Sequence, residues 1–177
     1  MKKMASWEDY IKFEHTHKEN VEKTLEFFKW VLKTYGKEVV DKEFENGLEI
    51  GTGLSGGYLP LLNIKNPVAV DYVYGPIKDK AEVLRFRNNT FDIVIISNTL
   101  DHCEDPRLAV KEMTRVLKDG GLLFIFNFYD EPDNHPWSFS NSKEILDLFI
   151  DFQTISFNEY PKRKRNAFMV ATLQKCG

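Results

Sequence analysis

The sequence is poor in the features that mark most specialised protein classes. It holds only two cysteines, Cys103 and Cys176, far apart and without Cys-x-x-Cys spacing, which argues against a disulfide framework and fits reduced thiols in a cytosol. No apolar run reaches the roughly 18 residues of a membrane span, and the charged N-terminus has no apolar core of a secretory leader. Membrane insertion and secretion are therefore not expected, and a cytoplasmic location is. Basic charge is in deficit, with a net charge of −3 and a pI near 5.8, so no global field favours nucleic acid or an anionic membrane. The one basic run, Lys162-Arg163-Lys164-Arg165, falls between two strand-like segments, where a solvated hairpin tip is the simpler reading. No internal repeat or low-complexity tract occurs.

What is present suits one globular domain over residues 1–177, 42% hydrophobic and 29% charged, long enough to bury about 70% of its unfolded surface. Within it, 1–40 read as an N-terminal helical lid or packing segment, 46–129 as a nucleotide-binding core, and 130–177 as a C-terminal helix and hairpin. Val21, Leu25, Phe28, Leu32 and Tyr35 recur on one helical face that Gly36 stops. Ahead of it, Trp7, Tyr10 and Phe13 are placed to pack or to fold over a ligand. His15 and His17 lack a further acid or thiol cluster and make a poor metal pair, so no metal site is expected.

The stretch from Leu48 to Gly57 reads as a buried strand entering a glycine turn and a helix start. Gly51 permits the turn, Gly53 lets backbone approach a ligand, and Gly56 lets the following helix lie against the strand. The run Pro67-Val68-Ala69-Val70-Asp71 then delivers a carboxylate where such folds hold a ribose. Glu49, inside the first strand, needs a specific partner, because an uncompensated buried carboxylate is costly. Between Asp71 and the strand Phe91–Ser97 there are too few residues for an ordinary crossover. Pro76 shortens any helix further, so Tyr72 to Lys80 should form at most one turn. After Ser97 come Asn98-Thr99-Leu100-Asp101-His102, then Asp105-Pro106 as a helix start with Ala109, Met113, Val116 and Leu117 on its buried face. Gly120-Gly121 leads into a further strand, Leu122 to Asn127, completing a βαβ unit. Asn141 with Glu144 opens a helix through Phe149, and Phe152–Phe157 and Phe168–Leu173 read as strands.

The acid at Glu49, the segment Lys80-Ala81-Glu82-Val83-Leu84-Arg85-Phe86, Phe91-Asp92-Ile93-Val94, Asn-x-Leu-Asp-His, Asp-Pro and Arg115-Val116-Leu117-Lys118-Asp119-Gly120-Gly121 together resemble the small-molecule (type 11-like) class I methyltransferases that use S-adenosyl-L-methionine (SAM), over about residues 46–129. The resemblance implies an α/β fold: a doubly wound Rossmann-like sheet, mostly parallel, with an antiparallel C-terminal hairpin at the edge of a seven-stranded pattern. Here that pattern is shortened between its second and fourth strands. It implies SAM as cofactor, with Glu49, Gly51, Thr52, Gly53, Gly56, Asp71, Tyr72, Ala81, Glu82, Asn98 and Thr99 around it. The glycine turn would hold the methionine end, Asp71 the ribose hydroxyls, and Glu49 the turn and the methionine ammonium. Asn98 and Thr99 would border the methyl. Where the family has an acid that reads the adenine amino group this chain has Lys80, leaving Asp79 or Glu82 to substitute, or the Ala81 backbone to serve.

His102, just past the central strand and titrating near neutrality, is the candidate catalytic base, and His135 is the second. Cys103 lacks a preceding proline and reads as structural, and the Asp/Asn-Pro-Pro-aromatic motif of amino-methylating nucleic-acid enzymes is absent. Short flanks carrying Trp7, Tyr10, Tyr129, Trp137, Phe139, Asp130, Glu131 and Asp133 suit a small polar acceptor rather than nucleic acid. Two other readings stay open: a NAD-dependent oxidoreductase, from the literal glycine pattern with Asp71, and a non-catalytic SAM-binding or interaction protein.

Overall fold

The computed structural model describes residues 21–53, 56–129, 135–160 and 167–177. Helix α1 (Val21–Tyr35) and the short α2 (Lys37–Val40) precede strand β1 (Glu43–Ile50), and β2 (Asn63–Val70) and β3 (Phe91–Ser97) follow. Helix α3 (Pro106–Val116), β4 (Leu117–Tyr129), α4 (Ser142–Leu146), β5 (Phe152–Tyr160) and β6 (Ala167–Lys175) complete the order. The strands form one six-stranded sheet ordered β2-β1-β3-β4-β6-β5. Its first three pairings are parallel, and β6 joins β4 and β5 antiparallel.

Both faces of the sheet are covered, and β3 shows it most clearly. Ile93 and Ile95 point into a cluster with Phe28, Val31 and Leu32 of α1, while Val94 and Ile96 point into one with Ala109, Met113 and Val116 of α3. A strand buried on both sides needs apolar residues at every position, so its sequence is a continuous run rather than an alternation. Helix α3 starts as its sequence requires: the Asp105 side chain accepts from the Arg107 amide, and Pro106 occupies the first turn, where a missing N–H costs nothing.

Two expectations are corrected and one holds. The β1–β2 connection contains no α-helix among the described residues, only a 3-10 turn at Leu59–Leu61. Gly56 and Gly57 sit at φ +77° and +68°, outside helical space, and Pro60 follows at once, so too little chain remains to nucleate a helix before Asn63. The expected shortening of the seven-stranded pattern holds: the sheet has six strands, and residues 71–90 contain turns and two isolated bridges in place of a strand and helix. That agrees with the shortening expected between Tyr72 and Lys80, and it leaves β2 as an edge. Helix α4 ends at Leu146 rather than Phe149, the backbone tightening there to three-residue bonds from Leu148 to Ile145 and from Phe149 to Leu146. The expected capping at its start holds, with Asn141 accepting from the Glu144 amide and Glu144 accepting from the Ser140 amide.

Candidate functional site

The carboxyl ends of β1, β2 and β3 converge where the chain order reverses across the sheet, between β1 and β3, which is where open α/β sheets form their crevice. Glu49 lies beneath it, fully buried, and its partner is backbone: the Tyr58 amide donates to both carboxylate oxygens at 2.9 and 2.7 Å, and the Leu59 amide donates at 2.9 Å. This acid takes the first amides of the 3-10 turn. A side chain on Gly57 would meet the Glu49 carboxylate at 2.1 Å, so the glycine is required by this close approach as well as by its φ. Burial pushes the Glu49 pKa up to about 8, and the two amides only partly offset that.

Asp71 ties the two loops together. Its Oδ2 accepts from the Gly53 amide at 2.9 Å, and its Oδ1 accepts from the amides of Val73 and Tyr74, both at 2.8 Å. A carboxylate offers about four lone-pair sites, so one remains for an outside donor rather than two. Gly53 stands at φ +58°, and a Cβ there would meet nothing within 4 Å, so backbone alone faces the crevice at this point. Thr52 is buried, and Tyr72 is exposed beneath the Lys80 ammonium, 5.4 Å from its ring centre.

Beside this loop, Lys80 pairs with Glu104, and Glu82 accepts from the Glu104 amide at 2.6 Å, with Ala81 buried between them. Asp79 is unsuited to replace the family's adenine-reading acid. It is buried under Arg85, whose Nε donates to both of its oxygens at 2.8 and 2.9 Å, and that guanidinium holds its carboxyl below the ordinary range. Asn98, at φ +45°, accepts from the Phe128 amide and so ties the end of β3 to β4, while the Thr99 hydroxyl donates to the Ser97 carbonyl and lies 3.4 Å from the Ile50 carbonyl of β1.

Just past β3 a 3-10 turn, Leu100–His102, carries Asp101 and His102. Asp101 is buried, and its Oδ2 lies 2.9 Å from His135 Nδ1. The rings of His102 and His135 meet edge to face at 4.3 Å. Burial drives the Asp101 carboxyl up, but the His135 hydrogen bond and the charges of His102 and His135 outweigh it and hold its pKa below the usual value. Its own amide helps to keep it ionised without reaching hydrogen-bond geometry to Oδ1. Burial lowers the His102 pKa, with Asp101 and Asp71 opposing, so the imidazole is neutral at pH 7 and able to take a proton. Trp137 anchors this wall: its amide donates to the Asp101 carbonyl at 3.1 Å and its indole N–H to the Glu104 carbonyl at 2.9 Å.

Not every expected wall residue is at the site. Phe139 packs in the core beneath α3, and Tyr129 is buried with its hydroxyl 2.6 Å from Glu159. Trp7, Tyr10, Phe13, His15, His17, Asp130, Glu131, Asp133 and the 162–165 run lie outside the described residues. Cys103 is buried, its thiol pushed far up by burial and directed at the Thr99 carbonyl, as a structural thiol should be. Sequence reasoning missed Asp101 as the partner of His135. The adjacent Asp-His pair was visible, but nothing local links it to a histidine 34 positions on (135 − 101).

Residues 48–125 match the family model described as a methyltransferase domain. The chain is 40% identical over 87 residues to the ubiquinone/menaquinone biosynthesis C-methyltransferase UbiE of Pasteurella multocida, covering 49% of this chain and 28% of that protein. It is 36% identical over 118 residues to the uncharacterized protein MJ1252 of Methanocaldococcus jannaschii, covering 56% of this chain and 45% of that one. The chain thus spans less than half the length of these curated relatives. Among solved structures, the N-methyltransferase NodS of Bradyrhizobium japonicum, crystallised with S-adenosyl-L-homocysteine, superposes with a TM-score of 0.67 at 15% identity over 85% of this chain and 86% of its own, a likeness of fold.

Proposed function

We propose, on the premise that residues 48–125 are a class I SAM-dependent methyltransferase domain, that the protein binds SAM in the crevice at Gly51–Gly53 and Asp71 and transfers its methyl group to a small-molecule acceptor. The observation that carries this reading is the Asp71–Gly53 tie at the strand-order switch. It holds a glycine backbone open to the crevice beside a carboxylate with lone-pair capacity left for a ribose hydroxyl. Glu49, under the turn, holds the Tyr58 and Leu59 amides and so shapes the loop that faces the methionine end, and Glu82 with the Ala81 backbone borders the adenine. Methyl transfer from a sulfonium is an in-line displacement, so the protein's contribution is alignment, exclusion of water and, for a protic acceptor, removal of a proton. The Asp101–His102–His135 group would perform that last task, with the neutral His102 as base and His135 fixed by Asp101.

Two features support a small acceptor in a reducing cytoplasm. The net charge of −3 disfavours a polyanion, and Cys176 is an exposed free thiol. No helix among the described residues is long and apolar enough to cross a membrane. The test is calorimetric binding of SAM and S-adenosyl-L-homocysteine, followed by incubation of the protein with methyl-labelled SAM and fractionated metabolites, nucleic acid and protein. Label entering the small-molecule fraction is expected. Binding of NADH in place of SAM, or label in nucleic acid alone, would refute the proposal, and SAM binding without transfer to any fraction would leave a cofactor-binding protein.

A further inference from the structure

The sequence has four histidines, and the fold brings two of them, 33 positions apart (135 − 102), against one buried carboxylate. We propose that Asp101, His102 and His135 form a binding site for one divalent transition-metal cation of the zinc type, at the acceptor end of the crevice. One ligand atom from each of the three lies within 4.8 Å of the others. Zinc bound at about 2.0–2.1 Å to nitrogen and oxygen in a tetrahedron holds its ligands roughly 3.3 Å apart, so side-chain rotation of an ångström or so closes the set without backbone movement.

A hydrogen-bonded Asp–His pair alone does not explain the second oxygen of Asp101. Oδ2 accepts from His135, but Oδ1 is buried with no hydrogen-bond partner among the described residues, in a side chain only 10% exposed. A buried anionic oxygen left in that state is costly. A cation between the imidazoles and this carboxylate would satisfy it, and two imidazoles with one carboxylate suit zinc, cobalt or nickel better than magnesium or calcium, which prefer oxygen donors. The wall is also held in place for the purpose, since the two Trp137 bonds fix the backbone just after His135 to the turn that carries Asp101 and His102.

Three protein ligands leave a position for water or an acceptor oxygen, the arrangement of a catalytic rather than a structural site. This deepens the proposed function and rests on it in one respect only, the identity of the incoming group. With an ion bound, the His102 lone pair goes to the metal, and the metal takes over activation of the acceptor. An acceptor O–H on the ion is acidified, releases its proton to solvent, and its oxygen takes the methyl as the sulfonium carbon–sulfur bond breaks to leave the neutral thioether.

The test reads the ion directly and needs neither SAM nor turnover. Protein stripped with chelator is titrated with Co²⁺, followed by visible absorption, and with Zn²⁺, followed by competition against a chromophoric chelator, with Mg²⁺ as the control cation. One equivalent of Co²⁺ with a ligand-field band is expected, together with a loss of Zn²⁺ affinity of at least about tenfold in each of Asp101→Asn, His102→Ala and His135→Ala. Variants at the other candidate ligands, His15→Ala with His17→Ala, and Cys176→Ser, are expected to bind as the parent does. Should Asp101→Asn fail to fold, the two histidine variants carry the comparison, with circular dichroism confirming their fold. Absence of saturable Co²⁺ binding, or binding that His102→Ala and His135→Ala leave unchanged, overturns the site. SAM affinity measured on the same stripped protein reports separately on the cofactor reading.

Discussion

Replacing Glu49 with glutamine should alter how stability depends on pH, and the structure fixes the sign. The folded protein holds the Glu49 proton up to about pH 8, whereas the free side chain releases it near 4.5. A pKa raised on folding contributes stability that is complete below the unfolded value and is lost as pH rises through the folded one. Between those limits the folded state carries one proton more than the unfolded, so stability should fall by about 1.4 kcal/mol per pH unit on this account. From about pH 6 to pH 7.5 the parent should therefore lose about 2 kcal/mol relative to Glu49→Gln, which cannot titrate. The substitution also sets an amide NH₂ against a backbone N–H that now donates to a carboxylate oxygen, so at low pH the variant should be the weaker by about 1–3 kcal/mol. Urea unfolding of both proteins at several pH values measures the difference. A constant gap from about pH 5.5 to pH 8 would mean that the Tyr58 and Leu59 amides hold Glu49 ionised throughout, and the reasoning from burial would be wrong.

Other outcomes follow from the same contacts. Asp71→Ala should weaken SAM binding by about 1.5–3 kcal/mol. It should also lower the melting temperature, because three backbone amides lose their acceptor. Gly53→Val should abolish SAM binding measured by calorimetry, through both its positive φ and the side chain it places in the crevice. For a protic acceptor, His102→Ala should cut turnover about a hundredfold or more in protein stripped of metal. The parent's activity should there rise with pH to a plateau reached below the ordinary imidazole value, since the His102 pKa is lowered by burial. A thiol reagent should titrate Cys176 rapidly in the native protein and Cys103 only after unfolding, as mass spectrometry of the labelled chain would show.

How much of this was written locally in the chain differs from element to element. Strand β3 and helix α3 were legible because their signals are short-range: an unbroken apolar run, then an N-cap aspartate with a proline in the first turn. The glycine motif was legible but over-read. Gly56 and Gly57 at positive φ, with Pro60 close behind, leave room for a 3-10 turn and not for a helix. Glu49 announced that it needed a partner without naming it, since the Tyr58 and Leu59 amides become donors only once the turn has formed. Asp79 looked available because its tie to Arg85 depends on how residues 79–85 coil. The meeting of Asp101 and His135 depends on the path of the whole β4 strand and the segment beyond it, which no periodicity encodes.

Strand β2 ends the sheet because residues 71–90 pair with it only at the isolated bridge between Val70 and Ile77, and its composition suits that exposed station. An unpaired row of amides and carbonyls invites another chain to extend the sheet. Here Pro67 removes one amide from the row, the Lys65 ammonium lies 2.9 Å from Glu45, and the Asn66 side chain reaches Glu45 and Asn46. Charged and amide side chains thus lie along this flank. Shortening of the fold at this side carries its own guard against aggregation. Lys65→Val with Pro67→Val is the change that would remove it, turning a guarded edge into a template for sheet extension.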